Sequence, residues 1–108
     1  MVDFKETKQG KNELKKLSKM AYEEDLRRSL LPVSIQFDKW KRGTVNSFEV
    51  AEVIHEFYTG PARKLYQTYN YDDQLAVASG IAKGLIDRAT VSKELLESLS
   101  RQIQYLSE

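Results

Sequence analysis

The sequence predicts an all-α fold, a compact bundle of five or six helices joined by short linkers. Three features of the 108 residues indicate this class. Apolar residues recur at spacings of three and four along most of the chain, which is the period of a core-facing helix. Capping residues and glycines interrupt that pattern at intervals of one helix length. No alternation of apolar and polar residues is long enough to predict a sheet.

The clearest helical stripe lies in the first half of the chain. Its members are Tyr22, Leu26, Leu30, Val33, Phe37 and Trp40. We expect Leu31 and Ile35 to widen this stripe. Pro32 falls inside it, and because proline lacks a backbone N–H and clashes with the preceding turn, we expect a long first helix that is kinked or broken there. Gly43 is predicted to end the helix.

Capping signals predict where the later helices begin. Asn46 with Glu49 three residues on has the spacing of a capping box. The segment 59–61, Thr-Gly-Pro, predicts the end of that helix and the start of a short one. Asp72 is predicted to cap an apolar helix, and Ser92 to cap a single final helix.

The N-terminal segment differs in composition from the rest of the chain. Residues 1–19 carry six lysines against three acidic side chains, whereas the formal charge of the whole chain is only +1. Residues 1–10 have few apolar side chains. We therefore expect a disordered basic leader over residues 1–10 and a single helical domain over residues 11–108.

Several classes of protein are disfavoured by composition. The chain has no cysteine, so disulfides, thiolate chemistry and Cys-based zinc sites are excluded. No apolar run is long enough to cross a bilayer, and the N-terminus lacks the apolar core of a signal peptide. We therefore expect a small soluble cytoplasmic protein that contacts no membrane. No phosphate loop, nucleophile elbow or HExxH signature is present, and we expect no cofactor.

His55 is the only histidine and gives the first candidate site. Glu52-x-x-His55 has the spacing used by carboxylate-bridged di-metal bundles, which need a second such motif and two further carboxylates. Only a symmetric dimer could supply that second histidine. The candidate catalytic residues are His55 and Glu52, and the candidate metal ligands are Glu49, Glu52, His55 and Glu56. We favour the simpler interpretation, a solvated polar face that binds no metal.

The segment from Asp38 to Glu49 resembles an EF-hand calcium loop over twelve residues. Its acidic ends and Gly43 occupy the expected positions. Trp40 and Arg42, however, stand where that loop has oxygen ligands, and the arginine repels a cation. We therefore expect a helix–turn–helix corner that does not bind calcium.

Aromatic and basic residues meet in a third candidate. Arg63 and Lys64 lie among four tyrosines, namely Tyr58, Tyr66, Tyr69 and Tyr71. Tyrosines can stack on bases while cations contact phosphates, so weak nucleic-acid binding is an alternative function. The spacing of the tyrosines also fits a helix core, and the excess of positive charge is local. Nucleic acid is therefore not the favoured partner.

The sequence by itself does not specify a biological role. It favours a non-enzymatic helical protein-interaction or regulatory module, with a small metal-dependent or general-base enzyme using Glu52 and His55 as the alternative. The helices carry more apolar faces than a monomer of this size covers, and exposed apolar surface marks association sites. We therefore expect a symmetric homodimer or an unidentified protein partner.

Overall fold

The computed structural model describes residues 2–108 and confirms the all-α class. No strand is present in this range, and the α-helices are joined by short turns. The α-helices are α1 (Lys8–Lys41), α2 (Ser47–Phe57), α3 (Arg63–Tyr69), α4 (Asp73–Ala82), α5 (Lys93–Ser98) and α6 (Ser100–Ser107). Two 3₁₀ helices (Phe4–Glu6 and Arg88–Thr90) and one π-helix (Tyr58–Ala62) complete the chain.

The hydrophobic core lies at one end of the molecule, where α4 packs between the first half of α1 and α6. Its fully buried side chains include Val77, Leu95 and Leu99. Gly80 of α4 meets Ala21 of α1, and a Cβ built on this glycine would lie 2.8 Å from Cδ1 of Ile86 and 3.4 Å from Cβ of Ala21. The absence of a side chain at Gly80 therefore leaves room for Ile86 against α4, with Ala21 of α1 at ordinary contact distance.

The second half of α1 leaves this core and pairs with α2. We call residues 30–58, which comprise this half of α1, the turn and α2 up to Tyr58, the arm. The arm accounts for the elongated outline of the molecule, which measures 62 × 25 × 23 Å. The structure describes every residue of the arm, and Val50 is the one that is buried. The arm is thus a two-helix projection from the core.

Proline breaks neither of the two helical stretches in which it occurs. α1 continues through Pro32, so the break considered near this residue is wrong. Because Pro32 is exposed, water can bind the carbonyl that loses its N–H partner. α2 also continues into α3, because the chain forms a π-helical turn around Gly60 and Pro61 in place of the predicted stop. A π turn widens the helix and relieves the clash between a proline ring and the carbonyl four residues earlier.

The structure places residues 2–10 of the predicted leader in an extended segment, a 3₁₀ turn and the start of α1, whereas residue 1 lies outside the described residues. Phe4 packs against the core, and the backbone N–H of Lys5 donates to Oγ of Ser98 at 3.1 Å. Thr7 caps α1 by accepting from the N–H of Gly10 at 3.0 Å. Gly10 is buried, and a Cβ on it would lie 1.9 Å from the carbonyl oxygen of Phe4. The absence of a side chain at Gly10 therefore permits this close contact with the preceding 3₁₀ turn.

The predicted helix caps are present. Asn46 and Glu49 form the capping box of α2, with both reciprocal hydrogen bonds made. Asp72 caps α4, and Ser92 caps α5. The last helix differs from the prediction, because it is interrupted at Leu99 and continues as α6.

Candidate interaction surface

Large apolar side chains are exposed along the arm. Phe48 and Tyr58 keep 87% and 74% of their surface accessible. The full set is Leu30, Leu31, Ile35, Trp40, Phe48, Ile54 and Tyr58. The stretch of α1 at residues 29–37 contains no charged residue. Seven large exposed apolar side chains in one part of the molecule make the arm a candidate association site.

The α1 portion of the arm has two distinct apolar faces. Val33 and Phe37 are half-buried, and because α2 packs against α1 we infer that α2 covers the side on which they lie. Leu31 and Ile35 are 55% and 53% exposed, and at 100° per residue they point about 160° away from Val33. The expectation that these two residues widen the core stripe is therefore wrong, and they form a separate outward face.

Three tyrosines line a groove where α2 passes into α3. The groove has a volume of about 490 Å³ and is lined by Tyr22, Tyr58, Thr59, Ala62, Arg63 and Tyr66. Arg63 is its one charged lining residue. The groove thus combines apolar walls with a single cation at its rim.

The structure divides the predicted aromatic–basic segment among several places. Arg63 lies with Tyr58 and Tyr66 in this groove, whereas Lys64 lines a different cleft that also contains Lys83. Tyr69 is buried and Tyr71 is exposed in the turn before α4. The two adjacent cations therefore do not line one groove.

Tyr69 joins α3 to α1 at the base of the arm. Its hydroxyl donates to Oδ2 of Asp25 at 2.9 Å, and its ring stacks on Tyr22 with centroids 4.9 Å apart and planes 7° apart. Burial raises the pKa of the Tyr69 hydroxyl, and the hydrogen bond to the Asp25 carboxylate and its charge raise it further. This contact spans 44 residues and has no local sequence signal.

The predicted metal and catalytic residues lie on the exposed surface of α2. Glu49, Glu52, His55 and Glu56 are all exposed. One carboxylate oxygen of Glu49 accepts from the N–H of Asn46 at 3.1 Å and so belongs to the helix cap. Across residues 2–108, no three His, Asp or Glu side chains are grouped closely enough to hold a metal ion. A single chain therefore does not bring these candidate ligands together.

The corner between α1 and α2 is held by its own hydrogen bonds. Nε1 of Trp40 donates to Oγ of Ser47 at 2.9 Å, and Oγ1 of Thr44 donates to the carbonyl of Lys39 at 3.0 Å. Gly43 has a φ of 79°, the left-handed conformation of a helix C-terminus. Glu49, the residue at the last ligand position of an EF-hand loop, is engaged in the capping box.

The comparisons with known proteins give no family assignment. No protein-family model, curated protein or solved structure matches the chain. Among residues 2–108 no helix combines the length and apolarity needed to span a membrane. The surface of the chain is therefore the basis for its proposed function.

Proposed function

We propose that this chain is a small non-enzymatic helical interaction module, acting in the cytoplasm, that associates through its arm and forms a homodimer. The observation that carries this proposal is the exposure of seven large apolar side chains on the arm. A role in regulating a second protein would use the parts of the arm that remain free in the dimer.

The amount of exposed apolar surface supports association. A fully buried aromatic side chain contributes roughly 150–250 Å², so the exposed parts of the seven arm side chains amount to several hundred Å². A standard specific interface buries about 800 Å² on each partner. The seven exposed side chains lie on both faces of the arm, so one contact of this size would include only part of them, together with neighbouring polar surface.

The shape of the molecule also supports a contact role for the arm. α2 buries only Val50, and the first half of α1 supplies the α1 residues of the core. The arm therefore contributes little to the core while exposing apolar side chains to water. An interaction role accounts for this arrangement better than an enzyme at His55, because the polar side chains near His55 are not assembled into a site.

Thermal unfolding at different protein concentrations tests the proposal. Association stabilises the native state by mass action, so the Tm of the unmodified chain is expected to rise over about a hundredfold increase in concentration. A double variant that alters both sides of the arm, Leu31→Ser with Ile54→Ser, is expected to lose this dependence.

A matched control lies outside the arm. Leu75 and Tyr105 are also exposed, but they belong to α4 and α6. The double variant Leu75→Ser with Tyr105→Ser is expected to keep the concentration dependence of Tm. A concentration-independent Tm of the unmodified chain, or a loss of the dependence in the control alone, would overturn the proposal.

A further inference from the structure

The outward face of α1 carries a regular row of side chains. Its members are Glu24, Arg28, Leu31, Ile35, Asp38 and Arg42, at alternating spacings of four and three residues. This is the a/d spacing of two helices that pack along their length. Glu24 is half-exposed, and the other five are exposed. The row lies on the side of α1 that faces away from α2.

The solvent-accessible part of this row is bounded by the core at one end and by the end of α1 at the other. Toward the N-terminus the same row continues through Leu17 and Ala21, which are buried in the core of the chain. Toward the C-terminus it ends with Arg42, the C-cap of α1. The accessible stretch therefore runs from Glu24 to Arg42, which is about 27 Å at 1.5 Å per residue, and Val33 lies at its centre.

Two copies of this row are complementary when they run antiparallel with Val33 at the centre of both. In an antiparallel pair of α1 helices centred on Val33, Leu31 lies opposite the partner's Ile35. Arg28 then lies opposite the partner's Asp38, and Glu24 opposite the partner's Arg42. Each pair occurs twice by the twofold symmetry, so an apolar centre is flanked on both sides by opposite charges. An a position meets a d position in every pair, as antiparallel helix packing requires.

We propose that a second copy of this chain docks antiparallel on the outward face of α1, centred on Val33. This inference rests on the proposed function, because it names the partner and the contact within the arm. The segment 29–37 lacks charges and forms the desolvated centre of the contact. The charged pairs fix the register, because moving α1 along its partner separates them.

The positions beside the row are mixed in charge. Asp25 lies near the partner's Lys39, which is a favourable pair, whereas Arg27 lies near the partner's Lys41, which is unfavourable. Arg27 and Lys41 are exposed at the edge of the contact, where interactions between charges are small. The favourable and the unfavourable pair beside the row offset each other, so the apolar centre and the two charged pairs of the row dominate.

This arrangement places α2 on the outside of the dimer. Phe48, Tyr58 and the tyrosine groove stay accessible to a further partner. The two copies of His55 are then on opposite outer sides, so dimerisation does not assemble the paired Glu52-x-x-His55 motif that a di-metal site needs.

Chemical crosslinking tests the register directly, because the natural chain has no cysteine. Ser34 is exposed at the flank of the proposed contact and level with its centre, so its two copies lie on the same side of the helix pair, close to the twofold axis. Ser34→Cys is expected to be linked into a covalent dimer by a short bis-maleimide. The matched control is Ala51→Cys, which lies exposed on α2 of the same arm and is expected to remain unlinked. Equal linkage of both variants, or linkage of Ala51→Cys alone, would overturn the register.

Charge exchange gives an independent test. Arg28→Asp and Asp38→Arg are each expected to weaken the dimer by about tenfold, because each places like charges opposite one another twice. The double variant is expected to restore the dimer. Arg28 also pairs with Glu24 within the chain at 2.9 Å, and the double variant does not restore that bond, so recovery reports on the contact between copies.

The outcomes separate this inference from the proposed function. A concentration-dependent Tm together with no Ser34→Cys linkage and no recovery in the double variant would contradict the register and leave association through the arm standing. A concentration-independent Tm of the unmodified chain would contradict both. Linkage of Ser34→Cys but not of Ala51→Cys, with recovery by charge exchange, would support the antiparallel pair of α1 helices.

Discussion

The hydroxyl of Tyr69 donates a 2.9 Å hydrogen bond to Oδ2 of Asp25, and this bond joins α3 to α1 where the arm leaves the core. Tyr69 is buried, whereas Asp25 is half-exposed. We expect Tyr69→Phe to lower the free energy of unfolding by about 1 kcal/mol, the net value of one such hydrogen bond. Urea unfolding of the two proteins measures this difference. An unchanged free energy would show that the bond contributes nothing to the fold.

The same hydroxyl predicts a pH dependence. Burial, followed by the hydrogen bond to Asp25, raises the pKa of Tyr69 above its ordinary value of about 10. The native state therefore holds the proton more tightly than the unfolded chain does, so this contribution to stability is complete below pH 10 and is lost as the pH rises further. Above about pH 10, the unmodified chain is expected to lose stability more steeply than Tyr69→Phe. Parallel curves would contradict the raised pKa.

Two helical glycines are expected to respond in opposite directions to alanine. Gly80→Ala places a Cβ against Ile86 and Ala21, and such overpacking costs about 1–3 kcal/mol, more than the gain in helix propensity. At Gly60 a Cβ meets nothing within 4 Å, so Gly60→Ala is expected to stabilise the fold by about 0.5–1 kcal/mol. Thermal unfolding compares the two variants. Equal Tm values for Gly80→Ala and Gly60→Ala would contradict these opposite effects.

The N-terminal turn is expected to contribute to stability. Phe4 packs against the core, so Phe4→Ala should cost about 1–2 kcal/mol, or roughly 4–8 °C in Tm for each kcal/mol. Val2→Ala is the control, because Val2 is exposed and should change Tm little. A Phe4→Ala protein that melts with the unmodified chain would show that the leader does not pack in solution.

Calcium is expected to leave the corner between α1 and α2 unchanged. Trp40, the one tryptophan, donates its indole N–H to Ser47 within this corner and is therefore a local fluorescent reporter. A calcium titration should produce no saturable change in its emission, because Trp40 and Arg42 replace two oxygen ligands. A saturable change that disappears in Glu49→Gln would contradict this expectation.

Features that depend on local sequence could be predicted, and features that depend on tertiary packing could not. Helical periodicity and the short-range chemistry of Asn46, Asp72 and Ser92 correctly indicated helices and their caps. The contact at Gly10 was not predicted, because the Phe4 carbonyl that excludes a side chain there belongs to the preceding 3₁₀ turn. The break considered at Pro32 was wrong because exposure of that residue makes its missing hydrogen bond tolerable.

The candidate surface shows the same division. The candidate side chains on the His55 helix face are all exposed, and the expectation that they bind no metal stays a prediction. Leu31 and Ile35 were placed with the core stripe, because periodicity alone does not tell which of two neighbouring stripes a second helix covers. The Tyr69–Asp25 bond joins positions 44 residues apart and has no signal in a single sequence.

Sedimentation equilibrium of the unmodified chain tests the central claim most directly, because it measures mass without altering any residue. The chain mass is 12.5 kDa. An antiparallel pair of α1 helices predicts a species of twice that mass, about 25 kDa, which dissociates on dilution and which Ser34→Cys traps. A mass of 12.5 kDa at every concentration over about a tenfold range would contradict association through the arm.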